Sequence, residues 1–174
     1  MEKQLEHQII ATLKEGMGNH DRLSAIRLTN TSSGVQTLAD LCDSHEFKII
    51  QDHSEWNTNT KFMLDVIGGM TPDIVLRSVA SQQNRIYIEV KEFAKIGRSK
   101  EDSQIIRYFL HLLASSEDNP NGKSDIGRSI ILAAPKAWFE ASSTNESWKY
   151  FLDKYRDLAQ AFHITLGELH IENT

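Results

Sequence analysis

Hydrophobic side chains recur along the chain at two spacings, one typical of helices and one typical of strands. Apolar residues three or four positions apart predict amphipathic helices at residues 3–15, 103–115 and 146–162. Shorter segments rich in Ile, Val and Phe predict strands at residues 47–52, 74–77, 85–91, 128–134 and 163–171. Gly167 interrupts the alternation of the last strand and predicts a bulge there.

The remaining segments are less regular. Residues 35–42 predict a short helix, and residues 62–67 fit either a strand or a buried helical turn. Asn, Pro and Gly residues predict a loop at residues 117–125. Because helices and strands alternate along the chain, the order predicts an α/β domain with a mixed central sheet that is flanked by helices.

Length and composition are those of an ordinary globular protein. The chain has 174 residues, 40% of them hydrophobic and 25% charged, which predicts one domain over residues 1–174. Cys42, the single cysteine, cannot form an internal disulfide, and the N-terminus lacks the features of a signal peptide, so we expect a cytoplasmic protein. No apolar stretch reaches the roughly 18 residues of a membrane span, so we expect no membrane partner.

Charge and motifs narrow the classes of function. The net charge of -5 argues against a general nucleic-acid coating protein, because such proteins usually present a strongly basic face. It leaves room for an enzyme that binds phosphate locally and holds a metal cation with carboxylates. A His-Glu-x-x-His pattern is absent, and a single cysteine cannot build a zinc cluster. Gly68-Gly69 lacks the Gly spacing and the Lys-Ser/Thr pair of a P-loop.

The predicted hairpin of the second and third strands brings two acidic residues together. Asp73 and Glu89 are equally far in sequence from Ser81, so an antiparallel pairing centred on Ser81 places them opposite one another. Side chains alternate between the faces of a strand, so Glu89 and Lys91 share a face. Opposed Cβ atoms lie about 4.5–5.5 Å apart, and diagonal neighbours lie within about 7–8 Å. We therefore expect Asp73, Glu89 and Lys91 to converge.

Two carboxylates at this separation repel each other unless a cation lies between them. Oxygen ligands suit Mg²⁺ or Mn²⁺, which bind one or two carboxylates together with water and phosphate oxygens. An ammonium group beside such a site, here that of Lys91, can stabilise negative charge that develops on a phosphate or can assist deprotonation of water.

These residues resemble a known motif. Pro72-Asp73, fifteen intervening residues and then Glu89-Val90-Lys91 are similar to the signature of the PD-(D/E)XK nuclease superfamily. The resemblance covers residues 3–134 and implies a restriction-endonuclease-like αβββαβ core. It also implies that Asp73 and Glu89 bind the metal, that the Val90 carbonyl is a further ligand, and that Lys91 serves hydrolysis.

An acidic residue on the first helix often completes sites of this superfamily. Glu6 borders the apolar face of the first predicted helix, and its placement matches that role. Glu2 remains open as an alternative. The resemblance therefore implies that the ligands of Mg²⁺ or Mn²⁺ are Asp73, Glu89, Val90 and Glu6.

A second resemblance lies on the helix predicted at residues 103–115. Gln104 and Tyr108 are similar to the Gln-x-x-x-Tyr pattern of the RecB-like branch of the superfamily. Arg107 and His111 extend the pair to a polar stripe on one side of an otherwise apolar helix. We expect this stripe to face the cleft and to contact DNA phosphates, with substrate positioned by Gln104, Arg107 and Tyr108.

Basic residues follow the catalytic strand. Lys95, Arg98 and Lys100 lie within residues 91–100, where Glu92 is the only acidic residue. We expect a local positive surface there, which would steer phosphates towards the site and lose strength as the salt concentration rises. Lys95 and Arg98 are the expected substrate contacts.

The sequence as a whole predicts a Mg²⁺- or Mn²⁺-dependent deoxyribonuclease that hydrolyses phosphodiester bonds. The alternative is a module that keeps the nuclease fold without turnover, either to bind nucleic acid or to serve as a subunit of a larger complex. RNA remains open as a substrate, as do endo- or exonuclease action, a homodimer or a larger DNA-processing complex, and the biological pathway.

Overall fold

The computed structural model describes residues 2–42, 47–50, 72–78, 85–97, 99–116 and 128–172. Within them the helices are α1 (Glu2–Gly16), α2 (His20–Ser24), α3 (Leu38–Cys42), α4 (Gln104–Ser116), α5 (Lys136–Glu140) and α6 (Ser142–Ala161). The strands are β1 (Phe47–Ile50), β2 (Ile74–Ser78), β3 (Arg85–Val90), β4 (Ser129–Pro135) and β5 (Thr165–Ile171). The segment predicted at residues 62–67, the loop predicted at residues 117–125 and Arg98 lie outside the described residues.

The five described strands form one mixed sheet in the order β1-β2-β3-β4-β5. β1, β2 and β3 pair antiparallel, whereas β4 pairs parallel to β3, and β5 pairs parallel to β4. The prediction of an α/β architecture with a mixed central sheet and flanking helices is confirmed. Because β3, β4 and β5 are parallel, their carboxyl ends lie at the same edge of the sheet. The residues that follow β3 lie at this edge.

The sheet separates two hydrophobic cores. One face packs against α4, α5 and α6 through side chains such as Val75, Tyr87 and Leu132. The other face packs against α1, α2 and α3 through a row that includes Ile74, Leu76, Ile86, Ile88 and Val90. The alternation predicted for the two hairpin strands therefore holds. It places Tyr87, and with it Glu89, on the face that α4 covers.

The short helices were harder to predict than the long ones. α2 begins after Asn19, whose side-chain oxygen accepts a hydrogen bond from the Arg22 backbone N–H at 3.2 Å. α2 and α5 were not predicted from the sequence, and α6 begins at Ser142, four residues before its predicted start. None of the helices in the described part of the chain combines the length and the apolarity needed to cross a membrane.

The bulge predicted at Gly167 is wrong. Gly167 pairs with Ile131, and the register continues without a break on both sides. A Cβ atom at Gly167 would lie 3.1 Å from Thr31 Cγ2 and 3.3 Å from Ile131 Cδ1. The glycine therefore gives room for the segment around Thr31 to cross close to the sheet, and it does not interrupt the strand.

Glu168 joins β5 to two other parts of the fold. Glu168 is buried, with 7% of the residue exposed. It accepts hydrogen bonds from Trp148 Nε1 at 2.7 Å and from Asn30 Nδ2 at 3.1 Å, and it contacts His170 Nε2 at 2.8 Å. One buried carboxylate therefore fixes α6 and the segment before α3 to the last strand.

Replacing Glu168 with alanine is expected to lower the free energy of unfolding by about 2–4 kcal/mol, because Trp148 and Asn30 would lose their acceptor. Urea unfolding of purified protein measures the change. Glu172→Ala is a matched control, since Glu172 is exposed at the end of the same strand. Equal losses of stability in the two variants would contradict the role given to Glu168.

Candidate active site

The β2–β3 ladder aligns the two acidic residues of the motif. Ile74 pairs with Ile88, and Val75 pairs with Tyr87. Asp73 immediately precedes β2, so the same register places it opposite Glu89 at the end of the ladder. The register predicted from the sequence is therefore confirmed.

Asp73 reaches across this ladder to the neighbouring strand. Its Oδ2 atom accepts a hydrogen bond from the Val90 backbone N–H at 2.8 Å. The side chain is partly exposed. The bond fixes the carboxylate of Asp73 beside the Glu89-Val90 backbone, and the partial exposure leaves the group accessible from solvent.

Glu89 is held by donors from α4. It is 3% exposed. Gln104 Nε2 donates to Oε1 at 2.9 Å, and the Tyr108 hydroxyl donates to Oε2 at 3.1 Å. Lys91 Nζ lies 3.8 Å from Oε1. Because each oxygen has its own donor, the carboxylate of Glu89 has a fixed orientation. Carboxylates that bind metals are typically held by neighbouring donors in this way.

The environment of Glu89 opposes its negative charge. Burial is the largest cause, and the nearby charge of Asp73 is the second; together they raise the pKa of Glu89 to about 8. The bond from Gln104, the charge of Lys91 and the bond from Tyr108 act in the opposite direction. Burial and the charge of Glu89 also raise the pKa of Tyr108, which keeps its hydroxyl protonated as a donor. The negative charges of Asp73 and Glu89 therefore destabilise each other.

The donor set fits a hard divalent cation. Two opposed carboxylates, one buried and one partly exposed, are the protein ligands that Mg²⁺ or Mn²⁺ commonly takes, with water and phosphate oxygens in the other positions. A cation between them would offset both the burial and the repulsion from Asp73 that raise the pKa of Glu89.

A third carboxylate does not join this pair in the described part of the chain, where no group of three or more His, Cys, Asp or Glu side chains could hold a metal. Glu6 on α1 is half-buried. Its predicted role as a ligand stays a prediction, as does that of the Val90 carbonyl. The side chain of Glu2 lies outside the described residues.

The polar stripe of α4 faces the sheet along most of its length. Gln104 and Tyr108 contact Glu89, and His111 Nδ1 lies 2.7 Å from the Tyr87 hydroxyl. His111 is buried, so the expectation that it contacts DNA phosphates is wrong. The reason is that β3 presents polar groups of its own on the face that α4 covers. Tyr108 is buried as well, and its hydroxyl is bonded to Glu89, so its predicted contact with substrate is wrong for the same reason. The predicted contact of Gln104 with substrate stays a prediction.

Unlike the other residues of the polar stripe, Arg107 forms its hydrogen bond at the surface of the protein. It is half-buried, and its Nη2 atom donates to Asp102 Oδ1 at 3.0 Å. Lys95 is exposed, while Lys100 Nζ lies 5.7 Å from the centre of the Tyr150 ring. Among the residues predicted to contact phosphate, Lys95 is therefore exposed in the segment that follows β3, and Arg107 is bonded to Asp102.

The buried pair of Tyr87 and His111 makes stability depend on pH. Burial, followed by the charge of Arg85, lowers the pKa of His111 from 6.5 to about 4. The folded chain thus favours neutral His111, and the unfolded chain takes up the proton first as the pH falls. The stabilisation is complete above pH 6.5 and is lost between about pH 6.5 and pH 4, with a total change of roughly 3 kcal/mol.

His111→Asn is expected to remove this part of the pH dependence, because asparagine retains an acceptor for Tyr87 and does not titrate. Urea unfolding at pH 7.5, 6.5, 5.5 and 4.5 would show a difference between wild type and variant that shrinks as the pH falls. His163→Asn serves as the control, since His163 is exposed. A constant difference between wild type and His111→Asn across this range would contradict the assignment.

Comparison of the chain with protein-family models, with curated proteins and with solved structures gave no match. The functional argument therefore depends on the residues of this chain and on their geometry.

Proposed function

We propose that the chain is a divalent-metal-dependent nuclease of restriction-endonuclease-like fold, in the PD-(D/E)XK superfamily, that hydrolyses phosphodiester bonds in DNA. One observation carries the proposal. Asp73 and Glu89 occupy opposite register positions at the end of the β2–β3 ladder, and Lys91 Nζ lies 3.8 Å from Glu89 Oε1. Two carboxylates and an ammonium group in this arrangement suit a cation that faces a phosphate.

The order of the elements supports the same proposal. Among the described residues, α1, β1, β2, β3, α4 and β4 occur in the order of the αβββαβ core, and the short helices α2 and α3 lie between α1 and β1. The Gln-x-x-x-Tyr pair adds independent support, because Gln104 and Tyr108 both bind the carboxylate of the second acidic residue. Both residues of this pattern therefore bind a residue of the first motif.

Each residue of the site has a role in this proposal. Asp73 and Glu89 would hold Mg²⁺ or Mn²⁺, with the Val90 carbonyl and Glu6 as further candidates. The cation, when bound, would lower the pKa of a water molecule and offset negative charge on the phosphate. Lys91 places its ammonium group beside Glu89, where it can stabilise the negative charge that develops during hydrolysis. Gln104 and Tyr108 are positioning residues for Glu89.

The substrate and the surroundings of the enzyme also belong to the proposal. DNA is the proposed substrate, bound through phosphate contacts of Lys95, Arg98 and Arg107, in a cytoplasmic enzyme. The same contacts would serve RNA, and they are compatible with a homodimer or with a larger DNA-processing complex.

A cleavage assay tests the nuclease. Purified protein is incubated with linear, circular, single-stranded and branched DNA in Mg²⁺, in Mn²⁺ and in EDTA. We expect cleavage of at least one substrate with either metal and none in EDTA. The absence of metal-dependent cleavage of every substrate would contradict the proposal.

A specific observation favours one alternative, a nuclease fold that binds nucleic acid without cleaving it. Both oxygens of Glu89 are bonded to protein donors, so the carboxylate keeps its place without a cation. Its raised pKa further favours a neutral group at this position. Binding of the same DNA substrates in a gel-shift experiment, together with no cleavage in the assay above, would support this second function.

A further inference from the structure

Phe93 is the most exposed large hydrophobic side chain of the described residues, at 67%. Transfer of a phenylalanine ring out of water is favourable, and at 67% exposure Phe93 obtains only a small part of that stabilisation in the isolated chain. Single exposed hydrophobic residues are common on proteins. Phe93 differs from the others in its greater exposure and in its position two residues after Lys91 of the proposed site.

The loop that carries Phe93 is fixed on both sides of the ring. Before it, the Lys91 N–H donates to the Ala133 carbonyl at 2.9 Å. After it, the Ala94 carbonyl accepts a hydrogen bond from Trp138 Nε1 at 2.8 Å, and Ile96 is fully buried. The neighbours of Phe93 are therefore bonded to β4, attached to α5 or packed in the core, while its own ring points into solvent.

Phe93 is also close to the proposed site. It follows Lys91 by two residues, so covalent geometry keeps the two Cα atoms within about 7.6 Å of each other. Exposed Lys95 follows two residues later. Along the chain, Phe93 therefore stands midway between Lys91 at the candidate site and the exposed Lys95.

We propose that Phe93 stacks on an unpaired nucleobase of the substrate, so that the protein acts on single strands or frayed ends in preference to intact duplex. The proposal rests on the proposed function, because it assigns the substrate class of that site. A base inside a duplex has both faces covered by its neighbours, whereas an unpaired base offers a free face to an aromatic ring. Lys95 would contact the phosphate that follows the stacked base.

Binding without cleavage tests the stacking directly. Lys91→Ala, in which cleavage is expected to be about a hundredfold slower, serves as the background in Mn²⁺. The probe is a single-stranded oligonucleotide that carries 2-aminopurine, and its binding is measured before cleavage becomes significant. Stacking on Phe93 quenches the fluorescence of the base. Adding Phe93→Ala is expected to remove the quenching and to weaken binding about 5- to 150-fold, since a stacked base contributes about 1–3 kcal/mol. Phe93→Trp is expected to retain both properties.

Three controls separate stacking from other effects of the substitution. Phe162→Ala removes an exposed ring near the opposite end of the sheet, where the Phe162 carbonyl accepts a hydrogen bond from Arg128, and it should bind like the background. Blunt duplex should bind equally to the Phe93 variants and the background. Lys95→Ala should reduce the salt dependence of binding by about one phosphate contact, whereas Phe93→Ala should leave that dependence unchanged.

Equal affinities of the background and the Phe93→Ala variant for the single strand would overturn the proposal and would point to a protein partner for the ring. An equal loss of affinity for single strand and blunt duplex would overturn it as well. Failure of the nuclease proposal is distinguishable, because binding and quenching without cleavage by the wild-type chain would leave the stacking intact. Cleavage that is unaffected by Phe93→Ala on every substrate would contradict the stacking alone.

Discussion

Glu89→Gln is expected to lower the rate of DNA cleavage by about a thousandfold or more while the chain stays folded. Glu89 is one of two proposed metal ligands, and a bound cation contributes several kcal/mol of transition-state stabilisation, where about 1.4 kcal/mol corresponds to a factor of ten. The amide has nearly the same shape as the carboxylate. It can accept from Gln104 and donate to the Tyr108 hydroxyl, so the local packing is retained.

The stability of this variant distinguishes a functional carboxylate from a structural one. Burial and Asp73 oppose a negative charge on Glu89, so its replacement by a neutral amide should leave the free energy of unfolding unchanged or increase it. Single-turnover cleavage and urea unfolding give the two quantities. Glu101→Gln is the matched control, because Glu101 is acidic and exposed in the loop before α4. Full cleavage activity in Glu89→Gln would contradict the proposed site.

Lys91→Ala is expected to lower the rate of cleavage by about a hundredfold or more without abolishing metal binding. Its ammonium group lies 3.8 Å from Glu89 Oε1 and is largely buried. A single preorganised group that stabilises transition-state charge typically contributes a factor of about 10²–10³. Because Lys91 is not a proposed metal ligand, its loss should affect the rate constant for cleavage more than the affinity for Mn²⁺.

Single-turnover rates and Mn²⁺ affinity, measured on the same preparations, separate these two effects. Lys136→Ala is a suitable control, since Lys136 is exposed on α5 and pairs with Glu140 at the surface. Loss of Mn²⁺ binding together with cleavage in Lys91→Ala would show that the residue acts by maintaining the site rather than on the reacting phosphate.

Local sequence patterns predicted those parts of the site that depend on contacts between residues close in the sequence. The alternation of side chains in β2 and β3, and the equal distances of Asp73 and Glu89 from Ser81, were sufficient to predict the register. The apolar periodicity of α1 and α4 predicted their bounds to within one residue at each end. Such patterns act through the nearest strand or the next helical turn, so they are legible in the sequence.

The orientation of the α4 stripe could not be predicted in the same way. His111 faces the sheet because the Tyr87 hydroxyl provides a buried partner, and that contact joins two elements across 24 positions of the sequence. The bulge wrongly predicted at Gly167 has the same kind of explanation, since Thr31 lies far away in the sequence. Contacts between segments that are far apart in the sequence therefore explain both the burial of His111 and the glycine at position 167.

The central claim is that Asp73 and Glu89 share one divalent cation at the end of the β2–β3 ladder. Calorimetric titration of Mn²⁺ into the wild-type chain and into Asp73→Asn tests this claim without reference to any reaction. The account predicts one Mn²⁺ per wild-type chain and the loss of that binding in Asp73→Asn, while circular dichroism shows both proteins folded. The same Mn²⁺ affinity and stoichiometry in the two folded proteins would contradict it.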